Sequence, residues 1–370
     1  MSQPKIIEEF LELVQVPAHS RRERALADVM TLKLKEMGFE VEEDDTGSKI
    51  GGDCGNLIAR LKGDAAIAPI MFSAHLDRVE NHGAIKPQIE GGVIKSDGSS
   101  ILAADDVSGI CAILDGIRRV QAENIPHGDL EIVLSVAEEV GLLGARHLDY
   151  SKIKSKKAYV IDTGGPLGTI VNQCPTQYTM TVTVHGRSAH AGIEPEKGLN
   201  AIRVAAAFLA RVPEGRLSPG TTSNYGIISG GKATNIVCDL TEIQAEARSI
   251  VPGELDAYMA EVHKIAEATA KEFNTNITVS PNTEYLTFKV DEQDEVIKLA
   301  ATAMRNMGLS AKVVSGGGGM DGNFFNQHGI KSVGLSPGYV GVHTPAEQQP
   351  IEDLIKCGQL VTEIIRASAG

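Results

Sequence analysis

The 370-residue chain reads as an α/β protein, a mixed and mostly parallel sheet flanked by helices, with a ferredoxin-like α+β unit inserted into it. Three observations predict this. Short apolar runs at 69–74, 130–136 and 158–161 have the character of buried strands and alternate with segments of helical periodicity. From about Gln177 the texture changes to strands that alternate apolar and polar residues, as half-exposed strands do. After Pro281-Asn282, read as the start of a return linker, the first pattern resumes. The expected domains are therefore a discontinuous outer unit, 1–176 with 287–370, and an inserted unit, 177–286.

The elements follow in order. Residues 4–16 and 23–37 carry apolar residues at three- and four-residue spacing and predict two amphipathic helices, the second closed by Gly38. Strands are expected at 56–61 and 69–74, a loop or small hairpin over 81–100, a helix at 107–120, and strands at 130–136 and 158–161. The inserted unit reads strand 178–184, helix 198–210, strands 225–229 and 236–247, helix 254–272, strand 277–280. This β-α-β-β-α-β order is that of a ferredoxin-like sandwich. Helix 292–307, strands 312–315 and 332–335, and helix 351–367 complete the outer unit.

Composition excludes several functions. A formal net charge of −13 disfavours nucleic acid or an anionic membrane as partner. Trp is absent and aromatics are 4% of the chain, which removes a stacking platform for bases. No apolar run approaches the roughly 20 residues that span a bilayer. The opening Met1-Ser2-Gln3-Pro4-Lys5 has no apolar signal core, so the expected location is the cytoplasm. Cys54, Cys111, Cys174, Cys238 and Cys357 are odd in number and dispersed, which argues against a disulfide framework or a thiolate zinc site.

Chemistry-bearing residues gather where strands end or helices begin. The first stretch is Met71-Phe72-Ser73-Ala74-His75-Leu76-Asp77, an apolar strand stopping at a His, with an Asp two residues on. A carboxylate beside a ligating imidazole fixes its tautomer. Then come Asp105-Asp106 before a helix, Glu138-Glu139 and Asp162 after apolar strands, and His343 in a late loop. Each alone is compatible with a cap, a turn or a surface His. Together they supply two imidazoles, at least three carboxylates and a spare Glu. That donor set suits two divalent ions of the zinc, manganese or cobalt kind, with the spare Glu to deprotonate a water between them.

These five stretches, in this order, resemble the co-catalytic metallopeptidases that include peptidase T, glutamate carboxypeptidase, aminoacylase and succinyl-diaminopimelate desuccinylase. The likeness is strongest to peptidase T and its shorter relatives, through Gly186-Arg187-Ser188-Ala189-His190-Ala191-Gly192 and Pro195-Glu196-Lys197-Gly198-Leu199-Asn200-Ala201. The resemblance implies a zinc-exopeptidase-like outer domain and a lid that also forms a homodimer. It implies that His75 and Asp162 ligate one metal, that Glu139 and His343 ligate the second, and that Asp105 bridges them. Asp77 would orient His75, the peptide bond between Asp105 and Asp106 would be cis, and Glu138 would be the general base. His190 would stabilise the oxyanion, in several dimeric relatives from the neighbouring subunit. Asn235 and Arg248 would bind substrate, and Gly317 and Gly318 would present backbone amides to it. Two departures stand out: Val107 replaces a usual Lys, and Met320 a usual Thr.

The function so implied is a dinuclear zinc exopeptidase of small peptides, releasing the N-terminal residue of tripeptides. An N-acyl-amino-acid amidohydrolase or a carboxypeptidase would keep the same chemistry. A non-catalytic binding relative would have no need of Glu138. A nucleotide-binding protein is disfavoured because Ser315 to Gly322 lacks the Gly-Lys-Ser/Thr ending of a phosphate loop.

Overall fold

The structure, a computed structural model, describes residues 4–79 and 83–370. Its chain forms two compact units, Met1–Cys174 with Phe288–Gly370, and Pro175–Thr287.

The first unit is built on a nine-stranded mixed sheet. At its centre Leu130–Ser135, Ile70–His75, Lys157–Val160 and Lys331–Leu335 lie side by side and parallel. Leu57–Leu61 and Glu40–Glu43 add antiparallel strands at one edge. Every residue of Leu130–Ser135 and of Ile70–His75 is buried, which accounts for their largely apolar texture. Glu131 is the one carboxylate in these strands, and it is met by Arg60 and by the backbone N–H groups of Lys154 and Ser155.

A helical layer packs on the sheet: Lys5–Leu13, Ala104–Glu123, Glu295–Asn306 and Ile351–Ser368. Ala104–Glu123 and Ile351–Ser368 cross closely at glycine. A Cβ on Gly116 would stand 2.6 Å from Val361 and 2.8 Å from the Gly358 carbonyl oxygen, so that position accepts no larger residue without separating the helices.

The second unit is a five-stranded antiparallel sheet in the order Gly215–Ser218, Thr221–Gly230, Leu240–Ser249, Thr176–His185, Ile277–Tyr285. Helices Ala201–Leu209 and Glu254–Phe273 bury Val204, Phe208 and Val262 against Val182, Val184 and Ile243 of the sheet. The four long strands have the ferredoxin-like order, with Gly215–Ser218 added at the edge.

Several expected boundaries move. The strand expected at 277–280 runs on to Tyr285, so Pro281-Asn282 continues an edge strand and starts no linker. Ile236 sits in a turn bridged to His190, and its strand begins at Leu240. The helix expected from 107 begins at Ala104, interrupted by non-helical backbone at Asp105 and Asp106. The loop or small hairpin expected over 81–100 does hold a hairpin, Gln88–Glu90 with Val93–Lys95, while residues 81 and 82 lie outside the described residues. The strand Thr169–Cys174 was not read from the sequence at all, although Gly168 and Pro175 bracket it. Among the described residues no helix is long and apolar enough to cross a membrane. All five cysteines are buried thiols and form no disulfide.

Candidate metal centre

Three neighbouring parallel strands end at candidate residues. Ile70–His75 ends at His75, Leu130–Ser135 leads into Glu138-Glu139, and Lys157–Val160 leads into Asp162. Side chains at the carboxyl ends of adjacent parallel strands converge on the same edge of the sheet, the usual position of a site in open α/β folds. Asp105 comes from the start of Ala104–Glu123. His343, at φ 62°, comes from a loop pinched shut by the reciprocal bonds of Val340 and Gln348.

These residues meet. His75 Nε2 lies 3.0 Å from Asp105 Oδ1 and 3.8 Å from Asp162 Oδ1. His343 Nε2 lies 3.0 Å from Glu139 Oε1 and 3.4 Å from Asp105 Oδ2. The ligand atoms of His75, Asp105 and Asp162 fall within 4.8 Å of one another, and so do those of Asp105, Glu139 and His343. Asp105 belongs to both sets, one oxygen toward each imidazole. The peptide bond between Asp105 and Asp106 is cis.

The surroundings orient these groups. Asp106 accepts the backbone N–H of His75 at 3.1 Å and that of Gly109 at 3.1 Å. Tyr339 donates its hydroxyl to Asp162 Oδ1 at 3.1 Å. Asp77 lies against His75 as expected, through two of its oxygens. The nearer partner of His75 Nδ1 is the backbone oxygen of Asp77, at 2.8 Å, with the carboxylate farther off at 3.5 Å. That carboxylate also accepts the backbone N–H groups of Glu138 and Glu139, at 2.9 and 3.2 Å.

Electrostatically the cluster is short of positive charge. Burial, then the charge of Asp162, holds the Glu138 carboxyl well above the usual range. Burial and then the charge of Asp105 do the same to Asp162. Burial raises the neighbouring Asp321 to about 6, although Ser135 donates to it at 2.5 Å. Burial acts in the same direction on Asp105, but hydrogen bonds from His343 and His75 outweigh it and keep that carboxyl low. The same contacts with Asp105 and Glu139 push His343 up to about 10. Acids that draw protons onto their neighbours are relieved by a cation. Each set of three offers one imidazole and two carboxylates, donors that suit divalent zinc, manganese or cobalt. Glu23, Asp53 and Cys54 also lie within ligand distance of one another. Burial holds the Cys54 thiol far above its ordinary value, away from the thiolate that binds metal.

A cleft of about 430 Å³ opens beside the cluster, lined by Asp105, Asp162, Gly317, Gly318, Met320 and Tyr339. The glycine run thus faces the same space as two of the candidate ligands. A larger cleft, about 520 Å³, lies on the sheet of the second unit between Thr179 and Asn282 and contains none of the candidate residues.

His190, Asn235 and Arg248 belong to the second unit. The first two are exposed and adjacent, since Ala191 N–H donates to the Asn235 backbone oxygen at 2.9 Å. Gly192 N–H donates to His190 Nδ1 at 3.2 Å, which leaves the ring proton on Nε2. Arg248 is already engaged by Glu246 through Nε at 3.1 Å and Nη2 at 3.0 Å, so a substrate carboxylate would have to displace that pair.

Comparison with known proteins agrees with this arrangement. A model of the peptidase dimerisation domain matches residues 177–274, and a model of peptidase family M28 matches residues 56–170. An aminopeptidase PepT of Bacillus cereus is 40% identical, covers 100% of both chains and superposes with a TM-score of 0.90. A tripeptidase of Staphylococcus aureus is 34% identical over 98% of both chains, with a TM-score of 0.94. Peptidase T of Vibrio cholerae is 30% identical over 86% of this chain and 75% of its own. With its inserted antiparallel unit and its His and carboxylate cluster at the strand ends, the chain belongs to the peptidase T family of metallopeptidases.

Proposed function

We propose that the protein is an aminopeptidase that removes the N-terminal residue of tripeptides with two divalent cations. The observation that carries this is the pair of ligand sets sharing Asp105, with Glu138 next in sequence to a ligand of one of them. His75, Asp105 and Asp162 would hold one cation, and Asp105, Glu139 and His343 the other. Zinc is the proposed resident metal. When bound, such a pair polarises the scissile carbonyl and acidifies a water.

The chain's own residues supply the rest. Glu138 is buried and kept proton-hungry by its acidic neighbours, so its carboxylate accepts the proton of the attacking water and returns it to the leaving amine. Asp77 holds the amides of Glu138 and Glu139 and so sets where base and ligand begin. Gly317 and Gly318 line the cleft beside Asp105 and Asp162, where an absent Cβ lets a peptide backbone approach. In the second unit, His190 with its proton on Nε2 is in the tautomer that an oxyanion donor requires, and Asn235 beside it is assigned to substrate. Arg248 is assigned there too, in competition with Glu246.

The same reading includes a homodimer through residues 177–286, in keeping with the dimerisation-domain match. Support comes from Thr221–Gly230, where Ile227 and Ile228 are 58% and 52% exposed beyond the short partner strand Gly215–Ser218. A reducing cytoplasmic setting fits five buried thiols without a disulfide.

The test is product analysis by mass spectrometry on tripeptides, with versions blocked at the amine and at the carboxylate. It is run with zinc, manganese, cobalt and chelator. Release of the first residue, abolished by amine blocking and by chelator, is the expected result. Turnover of amine-blocked compounds alone would make the protein an acyl-amino-acid hydrolase. Release of the last residue would make it a carboxypeptidase.

A further inference from the structure

Four consecutive backbone amides lead into the turn that carries Glu138, and each donates to a side-chain oxygen from elsewhere in the chain. Val136 N–H donates to Asn56 Oδ1 at 3.1 Å and Ala137 N–H to Glu23 Oε1 at 2.9 Å. Glu138 and Glu139 donate to the two oxygens of Asp77. The sheet ladder ends at Ser135, so these amides have no strand partner to hold them. Ala137 also sits at φ 51°, in the left-handed region that a residue with a Cβ seldom occupies. A turn of this kind is kept by its surroundings.

Glu23 is central to that hold. It is 0% exposed, and Oε1 accepts the N–H of Arg21 at 2.7 Å as well as that of Ala137. The loop that carries it grips the turn a second time, because Ser20 donates its hydroxyl to Asp77 Oδ2 at 2.6 Å. One short loop near the start of the chain therefore bonds Ala137 directly and also bonds Asp77, the acceptor of the next two amides.

We infer that Glu23 is a positioning residue for Glu138: its carboxylate oxygen pins Ala137, and with it the direction in which the Glu138 side chain leaves the backbone. This rests on the reading of Glu138 as the base. Without the bond at Ala137, that residue relaxes toward ordinary φ and swings the Cα–Cβ direction of Glu138. Asp77 holds both amides, but Glu139 has a further hold on its side chain, His343 Nε2 at 3.0 Å from its carboxylate. Loss of Glu23 should therefore disturb the base more than the metal ligands.

The experiment compares Glu23→Asp, Glu23→Gln, Glu23→Ala and Glu138→Ala, measuring steady-state kinetics at saturating cation, bound metal and thermal unfolding. Glu23→Asp keeps the charge but shortens the reach. It is expected to lower kcat on the order of 30- to 100-fold with KM within about 3-fold and metal content retained, the scale of a misplaced catalytic group. Glu23→Gln keeps an acceptor oxygen at full reach and is expected to recover most of that loss, to within about 5-fold of the parent enzyme. Glu23→Ala should resemble Glu23→Asp if it folds, and the Asp–Gln contrast decides the matter if it does not. The inference is overturned if Glu23→Asp turns over at the parent rate, if Glu23→Gln is as slow as Glu23→Asp, or if kcat falls only in step with lost metal. Full activity in Glu138→Ala would instead remove the base itself. An inactive Glu138→Ala beside a fully active Glu23→Asp would remove the positioning role alone.

Discussion

The carboxylate of Glu347 accepts the backbone N–H of Asp105 at 3.0 Å. Its other oxygen accepts the N–H groups of Leu102 and Ala103, each at 2.8 Å. Glu347 is 1% exposed, four residues beyond His343. A single loop thus supplies an imidazole to one ligand set and fixes the backbone of the carboxylate common to both.

Replacing Glu347 by Ala strips three buried amides of their acceptors. The expected cost is about 3 kcal/mol or more of stability, at roughly 1 kcal/mol or more per unsatisfied group. Metal affinity should weaken about 10- to 100-fold, as for other groups that hold a ligand in place. Thermal unfolding and a metal titration read the two effects. An unchanged metal affinity in Glu347→Ala would show that Asp105 needs no such anchor.

Glu138→Ala and Asp105→Ala should fail in different ways. The first keeps both cations and loses roughly 100- to 10,000-fold in kcat, the range of general-base catalysis. The second loses the cations as well. Cation at 1,000 times its dissociation constant stabilises a fold by about 4 kcal/mol, so chelator should lower the melting temperature of the parent protein but not of Asp105→Ala. Near-normal turnover by Asp105→Ala would rule out its shared position.

Glu9 ties the first helix to the helix Ala104–Glu123. It is 3% exposed and accepts Arg118 bidentately at 2.7 and 2.8 Å, with Lys33 at 3.3 Å. Burial would raise its pKa, but Arg118 and Lys33 overcome this and lower it. A lowered folded-state pKa adds stability above the ordinary carboxyl value and loses it as pH falls through the lowered one. Glu9→Gln should therefore flatten the fall in stability on the acid side, measured by urea unfolding from neutral to acidic pH. Glu9→Ala at neutral pH should cost about 3–5 kcal/mol, the usual penalty for breaking a buried pair. An acid limb identical in Glu9→Gln and the parent protein would show that this pair contributes nothing to it.

Ile227→Asp together with Ile228→Lys should produce monomers if the edge of Thr221–Gly230 is the homodimer contact. Light scattering after gel filtration gives the mass directly. A dimer that survives both changes would move the contact elsewhere on the second unit.

The fold was largely legible because its signals are local. The strand at 312–315 and the helices at 254–272 and 351–367 lie within two residues of the observed Lys312–Ser315, Glu254–Phe273 and Ile351–Ser368. Gly215–Ser218 and Leu143–His147 escaped notice because four or five residues are too few to show a period. Met320, noted only as a departure, lies buried along the cleft, with its sulfur 2.8 Å from where a Cβ on Gly334 would stand.

By itself the sequence determined which residue types stand at the ends of the buried strands. Apolar periodicity and side-chain chemistry belong to single short stretches, and the pool of donors could be nominated from them; its division into two ligand sets came from the family resemblance. Tertiary structure alone decided what holds those residues. Glu23, Asn56, Asp77 and Glu347 act by accepting backbone amides 114, 80, 61 and 242 residues away. An amide carries no residue signature, so no motif marks its acceptor. Only packing distant segments together chooses which buried oxygen meets which N–H.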